Sequence, residues 1–229
     1  MFRDKYKDSE YFEKRLKFNM KTFDEFEGLR EEVPEERLDY FYLSQSGYSK
    51  KLLTISYSLG LSSDEIFKWF KISLHYYSLI YSENDGIFTI IDYLSLAVLF
   101  DQRKEEFIDD IRVLFDNYQK FSEEDEIVQD DYIDALFEYL LEDKIIKFHS
   151  NLEYLNMIGY DAGSVIEAQK FWYYAHSDAA WYDTHKTNDA YYGYWSFDTA
   201  ALCKIRGIYD ERLKALDYFP YDLLVQTAD

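Results

Sequence analysis

Apolar residues recur at steps of three and four through nearly every segment of this chain, and only two prolines and eight glycines interrupt them in 229 residues. That pattern constrains the fold more than any other feature. Amphipathic helices place apolar side chains at i, i+3, i+4 and i+7, whereas strands and their turns need period-two alternation and frequent glycine or proline. With 48% apolar and 20% aromatic residues, the chain has ample material for a core. The expectation is an all-α protein, one compact multi-helix domain built from an N-terminal half (1–120) and a C-terminal half (121–229). No fixed-period repeat and no low-complexity linker divides it.

The elements follow from local signals. Ser9 stands where an N-cap belongs, and Phe12, Leu16, Phe23 and Phe26 carry a first helix to Gly28. Pro34, followed by Glu35 and Glu36, opens a second that runs to Gly60. Ser62 and Glu65 have capping-box spacing for a third, bearing Ile66, Trp69, Phe70, Leu74 and Tyr77 to about Tyr81. After an Asn84-Asp85-Gly86 turn, the nearly uncharged run 87–100 predicts a buried helix. Two acidic helices follow, with Phe107, Ile111, Leu114, Phe115 and Tyr118 inward on one and Ile133, Leu136, Phe137 and Leu140 inward on the other. A segment over 145–155 and a helix over 164–176 lead to the aromatic stretch 191–223. There, Tyr194, Phe197, Ala201, Ile205 and Ile208 predict a buried helix beginning near Gly193. Gly207 should end it, Asp210 should cap a short turn, and Pro220 should push Phe219 out of the helical region.

The charge is unevenly spread. The chain carries 25 basic and 45 acidic residues, net −20, but residues 83–143 hold 19 acidic against 4 basic, net −15. Like charges at i,i+4 on a helix cost about 0.2–0.5 kcal/mol per pair, so such a band weakens its own helices. It also repels phosphate and anionic lipid, which excludes nucleic acid and membrane as expected ligands and favours a basic protein partner. The candidate contacts are Glu105, Glu106, Asp109 and Asp110 on the first acidic helix, and Glu123, Glu124, Asp125 and Glu126 in the connection. On the exposed side of the second acidic helix the candidates are Asp130, Asp131 and Asp134, beside Glu138.

Other chemistry finds little support. His176, Asp178, Asp183 and His185 do not have a standard ligand spacing, and Ala179-Ala180-Trp181 between them looks like packing. No phosphate-cradling glycine loop, nucleophile elbow or HExxH motif occurs, and His75 and His149 are isolated. The expectation is a non-enzyme with no cofactor and no metal. A single cysteine, Cys203, allows no internal disulfide and suits a reducing compartment. The charged opening residues and the lack of a membrane-length apolar run predict a soluble cytoplasmic protein.

Two groups of residues carry a resemblance. Gly-Tyr-Trp-Ser-Phe-Asp-Thr-Ala-Ala at 193–201, with Ile208, Asp210 and Tyr-Phe-Pro-Tyr-Asp-Leu at 218–223, resembles the C-terminal signature of the PoNi immunity proteins. Arg3-Asp4-Lys5, Tyr11-Phe12, the run 52–61 and Ser63-Asp64-Glu65 resemble that family's N-terminal helical half. The resemblance implies an inhibitor that binds a cognate PoNe nuclease toxin, of a class similar to restriction-endonuclease-like DNases, and protects the producing cell's DNA. An acidic helical scaffold that binds an unrelated basic protein or peptide is the alternative that the charge alone allows.

Overall fold

The computed structural model describes residues 1–82, 85–123, 129–144, 147–187 and 190–226, and within them the secondary structure is helical, with no strand. Among the described residues ten α-helices occur in chain order: α1 (Ser9–Glu27), α2 (Leu38–Leu59), α3 (Ser63–Ile80), α4 (Ile87–Leu99) and α5 (Ile108–Glu123), then α6 (Asp131–Glu142), α7 (Glu153–Met157), α8 (Ala162–Ala175), α9 (Phe197–Ile205) and α10 (Tyr221–Leu224). Short 3₁₀ segments join several of them. The chain divides into two compact units: Met1–Tyr81 with Asp109–Asn117 and Asp183–Tyr194, and Ser82–Ile108 with Tyr118–Tyr182 and Trp195–Asp229. Among the described residues no helix is long and apolar enough to cross a membrane.

In the first unit, α2 packs on both α1 and α3. Phe12, Leu52, Leu53, Ile55, Phe70 and Leu74 are buried completely. The cap of α1 is Asp8 rather than Ser9: its carboxylate accepts from the Tyr11 N–H at 2.9 Å, because an aspartate one residue earlier reaches the same orphan donors. Pro34 opens a single 3₁₀ turn, Glu35–Arg37, before α2 begins. Ser62 accepts from the Glu65 N–H as the capping box requires, but Glu65 accepts from the Trp69 indole at 3.0 Å instead of closing the box.

The family-like N-terminal residues hold this unit together. Arg3 Nη1 donates to Tyr57 O at 2.7 Å and Arg3 N to Ser58 O at 2.9 Å, which adds donors to the carbonyls of the last turn of α2. Gly60 ends that helix with φ +76°, and a Cβ there would sit 1.9 Å from the Met1 carbonyl oxygen. The Asp4 carboxylate accepts from the Tyr6 and Lys7 N–H groups and from the Tyr191 hydroxyl. Tyr11 OH in turn donates to Tyr191 O at 2.9 Å, so residues 183–194 are tied to the chain's first turn of helix.

In the second unit α4 packs against α6 and α9, α7 against α8, and α9 against α10. All of Tyr93 to Phe100 is buried, as expected for a helix apolar on most sides. Its last carbonyl is met from elsewhere: Lys204 Nζ and Gln226 Nε2 both donate to Leu99 O at 2.9 Å. The helix in the aromatic stretch is shorter than its periodicity suggests. Gly193 has φ +110°, and the Ser196 N–H donates to Tyr218 O at 2.8 Å; residues 191–196 are not helical, and α9 starts only at Phe197. Gly207 (φ +67°) closes the helix end and Asp210 caps the 3₁₀ turn Glu211–Ala215, as the sequence predicts; Pro220 also leads into the four-residue α10, which the sequence reading does not include.

Candidate functional site

Helix α6 is built as a two-faced element. Tyr132, Ile133, Leu136, Phe137 and Leu140 are at most 1% exposed, while Asp131, Asp134, Glu138 and Glu142 follow one another along the other side at helical spacing. Asp131 and Asp134 are exposed and Glu138 is half-buried. Partial burial raises the Asp134 carboxyl above its usual range; neighbouring Asp131, Asp130 and Glu138 push the same way, while a hydrogen bond from Tyr118 opposes them. Asp131 accepts from the His149 N–H at 3.2 Å.

Asp130 differs from its neighbours. The sequence places it with the exposed carboxylates, but it is 3% exposed and serves as the N-cap of α6. One oxygen accepts from Tyr132 N at 2.8 Å, the other from Asn151 N at 2.7 Å and Ser150 Oγ at 3.0 Å. A capping aspartate has non-helical backbone and turns its side chain over the helix end, so it leaves the face that periodicity assigns to it.

The 3₁₀ segment Asp101–Glu106 lies at the C-terminal end of α6, where Tyr139 OH donates to Asp101 at 2.7 Å and Lys104 pairs with Asp143 at 2.9 Å. Glu105 and Glu106 therefore belong to this segment and not to the helix that follows; both are exposed, and Glu106 pairs with Arg103 at 2.8 Å. Glu123 is exposed at the end of α5. Glu124, Asp125 and Glu126 lie outside the described residues. In the first unit, Asp109 pairs with Arg112 at 2.6 Å on the open surface, and Asp110 is hydrogen-bonded to His75 Nδ1 at 2.9 Å. Exposed pairs of this kind contribute little to stability and leave the carboxylates accessible.

Two of the histidines named in the sequence, His176 and His185, are engaged in packing. His176 is 5% exposed, its Nδ1 lies 2.7 Å from Trp172 O, and its ring sits against Phe88, Trp172 and Trp181. His185 stacks on Tyr6 with centroids 4.2 Å apart, and burial lowers its pKa. Among the described residues, no group of three or more His, Cys, Asp or Glu side chains is arranged to hold a metal ion.

The residue that sequence reasoning passes over is Asp198. It is 2% exposed in α9; Trp172 Nε1 donates to its Oδ1 at 3.0 Å, the Tyr154 hydroxyl donates to Oδ2, and Tyr132 OH donates to its backbone carbonyl at 2.9 Å. Three aromatic residues from α6, α7 and α8 thus converge on one acid. Burial raises its carboxyl above the usual range. A signal for it was present: an aspartate inside the apolar run Phe197–Leu202 has no solvent face to occupy and must find donors inside.

These arrangements define an all-helical protein whose signature residues organise its core and whose acidic side chains remain largely on its surface. The chain matches the family described as PoNe immunity protein (PoNi), N-terminal, over residues 3–112, and PoNe immunity proteins (PoNi), C-terminal, over residues 164–223. It belongs to the PoNi family of immunity proteins. No curated protein and no solved structure matches it significantly.

Proposed function

We propose that this protein binds a PoNe nuclease toxin directly and inhibits it. The acidic surface of α6 and the neighbouring 101–106 segment faces the cations with which the toxin holds DNA. The observation that supports this surface is the row Asp131, Asp134, Glu138 and Glu142, carried by a helix whose other side is fully committed to the core. A nuclease must present lysine and arginine to phosphate, and a concentrated acidic field raises the rate of encounter with such a surface by about 10–10³-fold. The protein acts by occupying its partner in the cytoplasm of the producing cell, and carries out no chemistry of its own.

The test is co-expression with the nuclease encoded beside it, followed by a DNA-cleavage assay and a pull-down at low and high salt. Protection with a stoichiometric complex that weakens as salt rises supports both the inhibition and the acidic surface. Protection with a complex indifferent to salt keeps the immunity function and removes the surface. Cleavage that proceeds unchanged, with no complex, overturns the reading.

A further inference from the structure

The second unit also holds two cations together without an acid of their own. A cavity of about 250 Å³ opens beside α6, with Phe148, Tyr160, Leu202, Ile205, Lys147 and Arg206 among the residues that line it. The two rings locate the guanidinium: Arg206 Cζ lies 5.5 Å from the Phe148 centroid and 5.3 Å from that of Tyr160. Arg206 is half-buried, and its Nη1 donates to the carbonyls of Ile158 and Gly159, the latter at 3.2 Å. Those bonds hold the group in place but leave its charge unneutralised. Its Nε and Nη2 donors meet no acceptor among the described residues.

That open edge has a filled counterpart in the same unit. Arg212 presents Nε and Nη2 to the two oxygens of Asp210 at 2.9 and 2.8 Å, the fork that a carboxylate takes with two parallel bonds. Arg103, Lys104, Lys170 and Lys204 also each meet a carboxylate within 2.9 Å. Lys144, a third cation in the cavity wall, is paired with Glu142, the last member of the acidic row. Arg206 and Lys147 are different: they line one cavity, and neither pairs with a carboxylate among the described residues, in a chain that has 45 acidic side chains against 25 basic.

We propose that this cavity receives a glutamate side chain of the partner, its carboxylate taking the Nε–Nη2 edge of Arg206 and the Lys147 ammonium, its methylenes lying against the rings and the apolar Leu202 and Ile205. A guanidinium already seated on two carbonyls loses little freedom when it binds, and its planar fork matches a carboxylate. The net charge of −20 opposes a free anion, whereas a glutamate carried by a basic partner arrives with cations that the acidic row attracts. The row draws in any basic protein; a cationic socket at its end accepts only one that places an acid there, which supplies specificity. The inference rests on the reading of the protein as a binder of a basic nuclease, and adds a discriminating contact to it.

The experiment has two arms. In the first, the ¹⁵N-labelled full-length protein is titrated separately with N-acetylglutamate α-amide, N-acetylglutamine amide and inorganic phosphate, and the Arg206 Nε–H is followed. Saturable shifts with the glutamate probe and none with glutamine support the socket; no shift, equal shifts with glutamine, or a response to phosphate alone overturn it. In the second, binding of the cognate nuclease is compared for wild type, Lys147→Glu and Lys214→Glu. Both lysines are exposed, and Lys214 lies in the 3₁₀ turn Glu211–Ala215, outside the cavity wall. Each change makes the protein more acidic, so attraction to a basic partner by itself leaves binding equal or tighter. The socket predicts the opposite sign at one position: Lys147→Glu should weaken the complex roughly 5- to 30-fold and Lys214→Glu should not. If wild type binds and Lys147→Glu binds as well or better, the socket falls and the immunity reading stands. If wild type binds no nuclease, the immunity reading falls and the titration alone decides the cavity.

Discussion

The indole Nε1 of Trp172 donates to Oδ1 of Asp198 at 3.0 Å, inside a shell closed to water. Both partners lie within the C-terminal family match, and the bond joins α8 to α9. Asp198→Ala strands the Trp172 and Tyr154 donors, and each stranded buried group costs about 1–3 kcal/mol. Urea denaturation followed by tryptophan fluorescence should show that loss; a variant as stable as wild type would mean the shell rearranges freely.

The same residue has a defined pH signature. Its folded carboxyl titrates above its unfolded one, so its contribution to stability is full below the unfolded pKa and is lost as pH rises through the folded pKa. The stability of wild type relative to Asp198→Asn should therefore fall as pH rises above about 4. Urea midpoints for both proteins across pH 4–8 measure it, and a wild type that gains on Asp198→Asn as pH rises would reverse the assignment.

The α6 carboxylates should separate into two kinds. Asp131→Asn, Asp134→Asn and Glu138→Gln together should slow association with the nuclease several-fold and flatten its salt dependence, while changing stability by no more than about 0.5–1 kcal/mol. Asp130→Ala should do the opposite, costing about 1–2 kcal/mol as a lost cap with little effect on the association rate of the folded protein. Stopped-flow association beside thermal denaturation distinguishes them. Because Asp134 is raised, it takes up a proton above the usual carboxylate range as pH falls, so the rate should decline in mild acid less steeply in Asp134→Asn.

Two glycines allow backbone strain to be separated from crowding. Gly60 and Gly207 both hold left-handed φ, +76° and +67°, but a Cβ meets the Met1 backbone at Gly60 and nothing within 4 Å at Gly207. Gly207→Ala should cost roughly 1–2 kcal/mol, the penalty of the conformation, and Gly60→Ala clearly more. Equal losses in chemical denaturation would show that the chain's first residues move aside at no cost.

Cys203 reports on α9. It is fully buried, and burial pushes its thiol up to about 12. Ellman's reagent should leave it unmodified in the folded protein and label one thiol per chain in denaturant; Asp198→Ala should accelerate labelling under native conditions. Rapid labelling of wild type would place the helix in frequent contact with solvent.

Much of this protein was legible from residue spacing. The helical class, the buried run of α4, the Gly60 and Gly207 helix ends and the Asp210 and Pro220 turns all rest on interactions within a few residues, where periodicity and backbone preference decide the outcome. The family signatures at residues 3–65 and 193–223 were legible as well, but not what their side chains do. Tertiary structure settled the features that depend on distant partners. Tyr218 O takes the Ser196 N–H and thereby delays α9; Ser150 and Asn151 draw Asp130 into a cap; Trp172, Tyr154 and Tyr132 gather around Asp198. A buried polar group must find a partner wherever the fold supplies one, and sequence spacing carries no information about a donor twenty or more residues away.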